Sequence, residues 1–360
     1  MRSTNLSRRG FIKGMGGLAV VAGLGLVGCG GGSSTSGTAA GTSAASGSAE
    51  GGWKAVMCAA TGGINDQSFN QSAWAGMQAL GEKGWDVSYI EAKQQSDYPS
   101  NLDKAVDAEP NLVWGIGFDM ADALVECASK NPDVRFGIID NANPNDAANI
   151  TGVMFRAQES CFMVGYVAGR FSKTGKVGFV GGIASDLIDM FEWGFKAGVA
   201  YAGKETGATV TVDSQYAETF SDSAKGKSIA QKMLSDGCDI VFHAAGGTGT
   251  GAIEAAKEAG KYAIGVDMDQ SYLAPDNVLT SALKRVDKGL ELVSEKIKAG
   301  ESKGGDNLSL GMTEECVGIP EEHSLIGDDL YNAALEIGEK IKSGEIVPPA
   351  NEDEYNSFVA

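Results

Sequence analysis

The stretch that decides the fold is Lys54-Ala55-Val56-Met57-Cys58-Ala59-Ala60, then Thr61-Gly62-Gly63, then Ile64-Asn65-Asp66-Gln67-Ser68-Phe69-Asn70-Gln71-Ser72-Ala73-Trp74. A short apolar run bounded by glycines reads as a buried strand, and the segment from Ser68 to Lys83, stopped by Gly84, reads as a helix. The same plan continues: strands at Val87–Ile90, Asn111–Phe118 and Arg135–Ile139 alternate with helices at Ser100–Ala108 and Ala121–Lys130. Such alternation implies parallel strands with helices on both faces.

A second unit repeats the first. Strands are expected at Lys176–Val180, Thr209–Val212, Asp239–Ala244 and Tyr262–Val266, with helices at Ile188–Tyr201, Ser223–Asp236 and Gly249–Ala259. Gly62-Gly63-Ile64 and Gly181-Gly182-Ile183 recur at the same spacing as Trp74 and Trp193, and both units close a strand with an acid, Asp140 and Asp267. The expected fold class is therefore α/β, with two doubly wound parallel-sheet lobes. A strand at Val278–Leu283 and helices at Asp287–Lys298 and Gly327–Lys342 follow.

The N-terminus sets the compartment. Ser7-Arg8-Arg9-Gly10-Phe11-Ile12-Lys13 precedes a weakly apolar, glycine-rich run to Val27, and Leu26-Val27-Gly28-Cys29 follows the pattern of a lipobox. The run is too short for a membrane span, which needs about 20 mostly apolar residues. Residues 1–28 are read as a twin-arginine signal, with Cys29 as the lipidated first residue of the mature chain. Residues 29–52, almost wholly Gly, Ser, Thr and Ala, form a flexible tether to a bilayer. About 300 residues remain, more than one ordinary core holds, so two lobes are the default.

The net charge is −18, and the leader carries Arg2, Arg8, Arg9 and Lys13 but no acid, so the mature chain is more acidic still. That argues against a nucleic-acid partner. Five cysteines remain beside Cys29, with no C-x-x-C spacing, and read as buried free thiols. His243 and His323 are the only histidines, so neither a His-rich metal site nor a cofactor is expected.

Ligands of open α/β sheets sit beyond the carboxyl ends of the strands. The residues there are carboxylates, amides, aromatics and one lysine, with no nucleophile–base pair. One segment, Gly247-Thr248-Gly249-Thr250-Gly251-Ala252 with Asp267 about 20 residues on, fits the dinucleotide fingerprint. Its place in the middle of a lobe weighs against a nicotinamide enzyme, and no Walker A lysine follows.

Asn65-Asp66-Gln67-Ser68-Phe69-Asn70 resembles the N-D-x-S-F-N signature of the basic membrane lipoproteins, the purine-nucleoside-receptor type of ABC substrate-binding protein. Phe191-Glu192-Trp193-Gly194-Phe195-Lys196-Ala197-Gly198, Val266-Asp267-Met268-Asp269-Gln270 and Thr280-Ser281-Ala282-Leu283-Lys284 resemble three further segments of that family, in order. The resemblance implies a type I periplasmic-binding-protein-like fold with a hinge, with lobe 1 at 53–150 and 267–303 and lobe 2 at 151–266 and 304–360. It implies a nucleoside, a purine nucleoside foremost, held between the lobes and passed to an ABC permease; a sugar or other small-solute sensor is the alternative. It gives Asn65 and Asp66 to the base edge, Phe69 and Phe191 to stacking, and Asp119 to a further polar contact. Gly246 would allow close backbone approach, and Asp267 and Lys284 would hold the ribose. Each also has a plainer reading: Asp66 and Asp119 as helix caps, Phe69 and Phe191 as core, Trp74 and Trp193 as core, Asp267 as a solvated loop, Lys284 as surface.

Overall fold

The computed structural model describes residues 52–360. The segments read as a leader and, up to Gly51, as a tether lie outside the described residues together with Cys29.

The chain alternates as the pattern predicts: β1 (Lys54–Cys58), α1 (Phe69–Glu82), β2 (Asp86–Ile90), α2 (Tyr98–Asp107), β3 (Leu112–Ile116), α3 (Ala121–Lys130), β4 (Arg135–Ile139) and β5 (Ile150–Phe155). Every residue of β3, Leu-Val-Trp-Gly-Ile, is buried, as expected of a parallel strand covered on both faces. Helix α4 (Ala157–Phe171) then leads to β6 (Lys176–Gly181), α5 (Asp186–Thr206), β7 (Thr211–Tyr216), α6 (Ser223–Ser235), β8 (Ile240–Ala244), α7 (Gly246–Glu258), β9 (Tyr262–Asp267) and β10 (Val278–Lys284). Ser185 caps α5 through the Ile188 N–H, and Gly207, at φ +70°, ends it in the left-handed conformation. The chain closes with α8 (Val286–Ala299), β11 (Asn307–Leu310), β12 (Val317–Gly318), α9 (Gly327–Lys342) and α10 (Glu352–Val359).

Two six-stranded sheets result, ordered β11-β5-β4-β3-β1-β2 and β12-β10-β9-β8-β6-β7. All pairings are parallel except β10–β12. The strand order is the same in both, which makes β4 the counterpart of β9 and β5 the counterpart of β10.

This topology corrects the lobe assignments. The Val278–Leu283 strand does not complete lobe 1; β10 pairs with β9, Ser281 beside Gly265 and Ala282 beside Val266. Residues from 307 do not return at once to lobe 2; β11 pairs with β5, Asn307 beside Gly152. Nor does lobe 1 end at 150, since β5 lies alongside β4. In each lobe the fifth strand follows the fourth by a short connection, and the helix after it changes lobes. Helix α8 packs on lobe 1: Ser294 Oγ accepts from Trp114 Nε1 at 3.0 Å, and the Ile297 carbonyl from Arg135 Nη1 at 3.0 Å. Helix α4 packs on α5, where Tyr166 donates to Glu205 at 2.7 Å. Both β5 and α4 were absent from the sequence reading. Helix α4 is buried along almost its whole length, so it carries no polar stripe to mark it.

Trp74 and Trp193 are half-buried at the surface, each against a tyrosine: Tyr89 at 4.7 Å and Tyr355 at 5.2 Å. The five described cysteines are free and buried. Glu352, Asp353 and Glu354 are exposed on α10, whose Phe358 reaches Phe162 of α4. No helix among the described residues is long and apolar enough to cross a membrane.

The α4–α5 contact is close because glycines face it. A Cβ on Gly198 would lie 2.0 Å from the Phe162 carbonyl oxygen, and one on Gly165 2.2 Å from that of Phe195. Gly198→Ala is expected to lower unfolding free energy by about 1–3 kcal/mol, measurable by urea denaturation. A change below about 0.5 kcal/mol would show that the two helices can move apart freely.

Candidate functional site

The carboxyl ends of both sheets face one another across a cleft of about 660 Å³, part of it continuous with solvent. Lobe 1 contributes the turn after β1, the turn after β3 and the end of β4. Lobe 2 contributes α5, the start of α7, and the ends of β9 and β10.

The floor is ionic. Asp140 follows β4 and Asp267 ends β9, both at φ +64°, the left-handed region that favours glycine. They are equivalent positions in the two lobes, and each is about 95 % buried. Lys284, the last residue of β10, is buried to the same degree. Its ammonium pairs with Asp140 Oδ2 and lies 3.9 Å from Asp267 Oδ1. Asp267 Oδ2 accepts from the Ser68 hydroxyl of lobe 1. Asp140 Oδ1 is buried without a partner among the described residues. Burial pushes the Asp267 carboxyl up to about 6, against the opposing pull of Lys284 and of the Ser68 hydrogen bond.

Aromatic faces stand around that lysine. Its Nζ is 4.5 Å from the Phe69 ring centroid, 5.5 Å from that of Phe191 and 5.8 Å from that of Phe155. Such cation–π contacts help hold a buried ammonium. Phe118 of lobe 1 and Phe220 of lobe 2 meet edge to face at 6.4 Å and also line the cleft.

Asp66, Phe69, Asp119, Phe191, Gly246, Asp267 and Lys284 thus line one space. Asp66 does cap α1: its carboxylate accepts the N–H groups of Ser68 at 3.0 Å, Asn70 at 2.9 Å and Gln71 at 3.0 Å, plus the Asn70 amide at 3.0 Å. Asp119 is no cap; it accepts from Gln95 and from the Tyr98 hydroxyl, both at 2.9 Å. Phe191 is 3 % exposed and still borders the cleft, so it is core and wall at once. Gly246, at φ +53°, opens α7. Lys284 is not a surface residue and Asp267 is not in a solvated loop.

Asn65 does not join them. It is exposed and faces a separate groove beside Trp74 and Pro320, while Asp66 turns inward. Asn70, buried and bonded to Asp66, borders the cleft instead. The sequence reading also missed Asp140, Ser68, Phe118 and Phe220. Asp140 had a signal, since it closes its strand as Asp267 does; Ser68 lies in the N-D-x-S-F-N stretch and Phe118 closes the expected strand Asn111–Phe118, while Phe220 had none.

The glycine run at 247–251 is accounted for by packing. A Cβ on Gly249 would come within 1.7 Å of His243 Nδ1, and one on Gly251 within 1.8 Å of the Ser223 carbonyl oxygen. These glycines admit neighbouring protein rather than a pyrophosphate.

Two doubly wound lobes that exchange helices and close over a cleft define a solute-binding protein of the periplasmic type. A solved structure described as an ABC transporter system solute-binding protein from Aeropyrum pernix K1 superposes with a TM-score of 0.76 at 27 % identity, over 85 % of this chain and 96 % of that one. The family described as ABC transporter substrate-binding protein PnrA-like matches residues 53–352, and the chain belongs to it. Basic membrane protein A of Borreliella afzelii is 40 % identical over 86 % of this chain and 96 % of its own length. The CD4+ T-cell-stimulating antigen of Listeria monocytogenes is 39 % identical over 82 % of this chain and 87 % of its own.

Lys284→Met would leave two buried carboxylates facing each other. The expected loss of stability at neutral pH is about 3–5 kcal/mol. Asp267 already titrates higher in the folded than in the unfolded state, so its contribution is present at low pH and lost as pH rises through about 6. Removing the lysine enlarges that trend, and the variant should regain stability between pH 7.5 and pH 5. Denaturant titrations at both pH values read it; an equal loss at each would argue against the charge account.

Proposed function

We propose that this protein captures a nucleoside, a purine nucleoside foremost, between its lobes and hands it unchanged to an ABC permease. The observation that carries this reading is the pair of buried strand-end acids, Asp140 and Asp267, bridged by Lys284 beneath Phe69 and Phe191. Ionised carboxylates accept from sugar hydroxyls, and Asp140 Oδ1 has no protein donor. A hydroxyl-bearing ring supplies the missing donors. Aromatic faces suit a flat heterocycle, with stacking worth about 1–3 kcal/mol per ring. Asp119, Asn70 and the Asp66 end of the loop offer polar partners for the base edge. Four carboxylates against one lysine border the space, which disfavours a phosphate and hence a nucleotide.

Cys29 would be acylated and hold the protein on the outer face of the membrane, with the Gly/Ser stretch as tether. Palmitate labelling of the expressed chain, lost in Cys29→Ser, tests that part.

Titration calorimetry with adenosine, guanosine, inosine, cytidine, uridine and ribose tests the ligand. The expected outcome is one-to-one binding of a purine nucleoside, weakened about tenfold or more in Phe191→Ala and further in Asp267→Ala. Affinity should also fall as pH drops from 7.5 through 6 to 5, because a protonated Asp267 loses an acceptor. Binding of ribose alone would move the ligand to sugars, and no binding from the whole panel would sink the nucleoside reading.

A further inference from the structure

Among the described residues, three side-chain bonds join the strand ends and loops of the two lobes beneath the cleft. Two use the buried acids: Lys284 to Asp140 and Ser68 to Asp267. The third uses neither: Gln270 Nε2, in the loop after β9, donates to the main-chain oxygen of Gln67 at 2.8 Å. We propose that Gln270, oriented by His243, is a positioning residue that latches the lobes shut around the ligand by gripping the backbone of the loop that carries Asp66 and Phe69. The proposal rests on the reading of this cleft as the ligand site.

The orientation of that amide is determined. Gln270 Oε1 accepts the Val266 N–H at 2.9 Å, and a backbone N–H can only donate. The oxygen therefore faces Val266 and the NH2 group faces Gln67. The same oxygen lies 2.9 Å from His243 Nε2, so that nitrogen carries the proton. His243 Nδ1, buried and without a partner among the described residues, is then the bare one. Burial pushes the imidazole down to about 4, which keeps it neutral around pH 7. The Gln270 N–H is held by Ser281 Oγ at 3.1 Å.

The surroundings are shaped to this end. Gly249 leaves room for His243, and a Cβ on Gly265 would come within 2.8 Å of Gln270 Oε1. Gln270 is wholly buried yet does not border the cleft. Its other bonds lie inside lobe 2, so only the NH2 group needs lobe 1. Gln67 holds φ +59°, unusual for a residue with a side chain, and presents its carbonyl to that NH2. When the lobes part, water can take over both ends, which makes the bond reversible. It also carries no charge, so it acts whatever the ionisation of Asp267.

The test uses Gln270→Met in the full chain, similar in shape but without the NH2. In the ligand-free state, small-angle scattering should show a larger radius of gyration than the native chain. With inosine as probe, dissociation should quicken about five- to tenfold while association barely changes. His243→Phe should move both readings the same way, by less. An unchanged ligand-free scattering profile in Gln270→Met would overturn the latch. Should inosine fail to bind the native chain, the nucleoside reading falls, and the ligand-free scattering still decides this proposal. If the variant does not fold, the native chain decides: slow hydrogen exchange of the Gln270 side-chain NH2 by NMR supports the latch, and exchange at the rate of a free amide overturns it.

Discussion

Lys284 is about 97 % buried between two acids, one of which burial pushes up to about 6. Taking such charges from water is opposed by several kcal/mol per ion even after relaxation. Within lobe 2, Asp267 at 3.9 Å and the face of Phe191 offset part of that. Asp140 belongs to lobe 1 and Lys284 to lobe 2, so the pair exists only where the lobes meet. Phe69 of lobe 1 and Phe191 of lobe 2 add their faces to the same ammonium. The closed arrangement therefore adds the closer acid, Asp140, and a second aromatic face, Phe69, to what lobe 2 already offers the ammonium. The incomplete hydrogen bonding of Asp140 fits a site left partly unsatisfied until a ligand arrives.

The exchange of helices brings those groups together. Each lobe completes its fifth strand and then sends a helix across, α4 one way and α8 the other, and the segment after β11 crosses last. Arg156, just after β5, ties these passages: it donates to Glu159 at 2.6 Å, to the Ser309 carbonyl at 2.9 Å and to Glu314 at 2.9 Å. The crossings also bond through backbone, Arg156 N–H to Leu310 and Arg285 N–H to Cys316, both at 2.8 Å. The three crossings are thus tied to one another at the place where hinges of two-lobed binders lie.

Most of the architecture could be read from periodicity, because buried parallel strands such as Leu112–Ile116 stand out and repeat. What periodicity does not carry is which sheet a strand joins. Val278–Lys284 looks the same whichever sheet it enters; pairing with Ala263–Asp267 decides it, and that is tertiary. Helix α4 escaped because burial on all sides removes the amphipathic signal. The candidate residues that resemblance supplied fell into one cleft save Asn65, and the adjacent Asp66 shows why. A carboxylate that caps α1 must point back along the helix start, which turns its neighbour outward. Ser68 stood in the N-D-x-S-F-N stretch and Phe118 at the end of an expected strand, each without a role of its own; Phe220 gave no sign, since a loop phenylalanine is ordinary in any α/β chain.

The two lobes differ where the chemistry demands it. Asp140 and Asp267 are equivalent and share the same strained backbone, as duplication would leave them. At the next strand the symmetry breaks. Strand β5 ends in Phe155 before Arg156, and β10 ends in Lys284 before Arg285. Two lysines there would repel, and two phenylalanines would leave both acids buried without a counter-charge. One of each gives two carboxylates a single shared cation, with an aromatic face set 5.8 Å from it. The site is therefore intrinsically asymmetric within a nearly symmetric frame, with the shared cation supplied by lobe 2 and the closer acid by lobe 1.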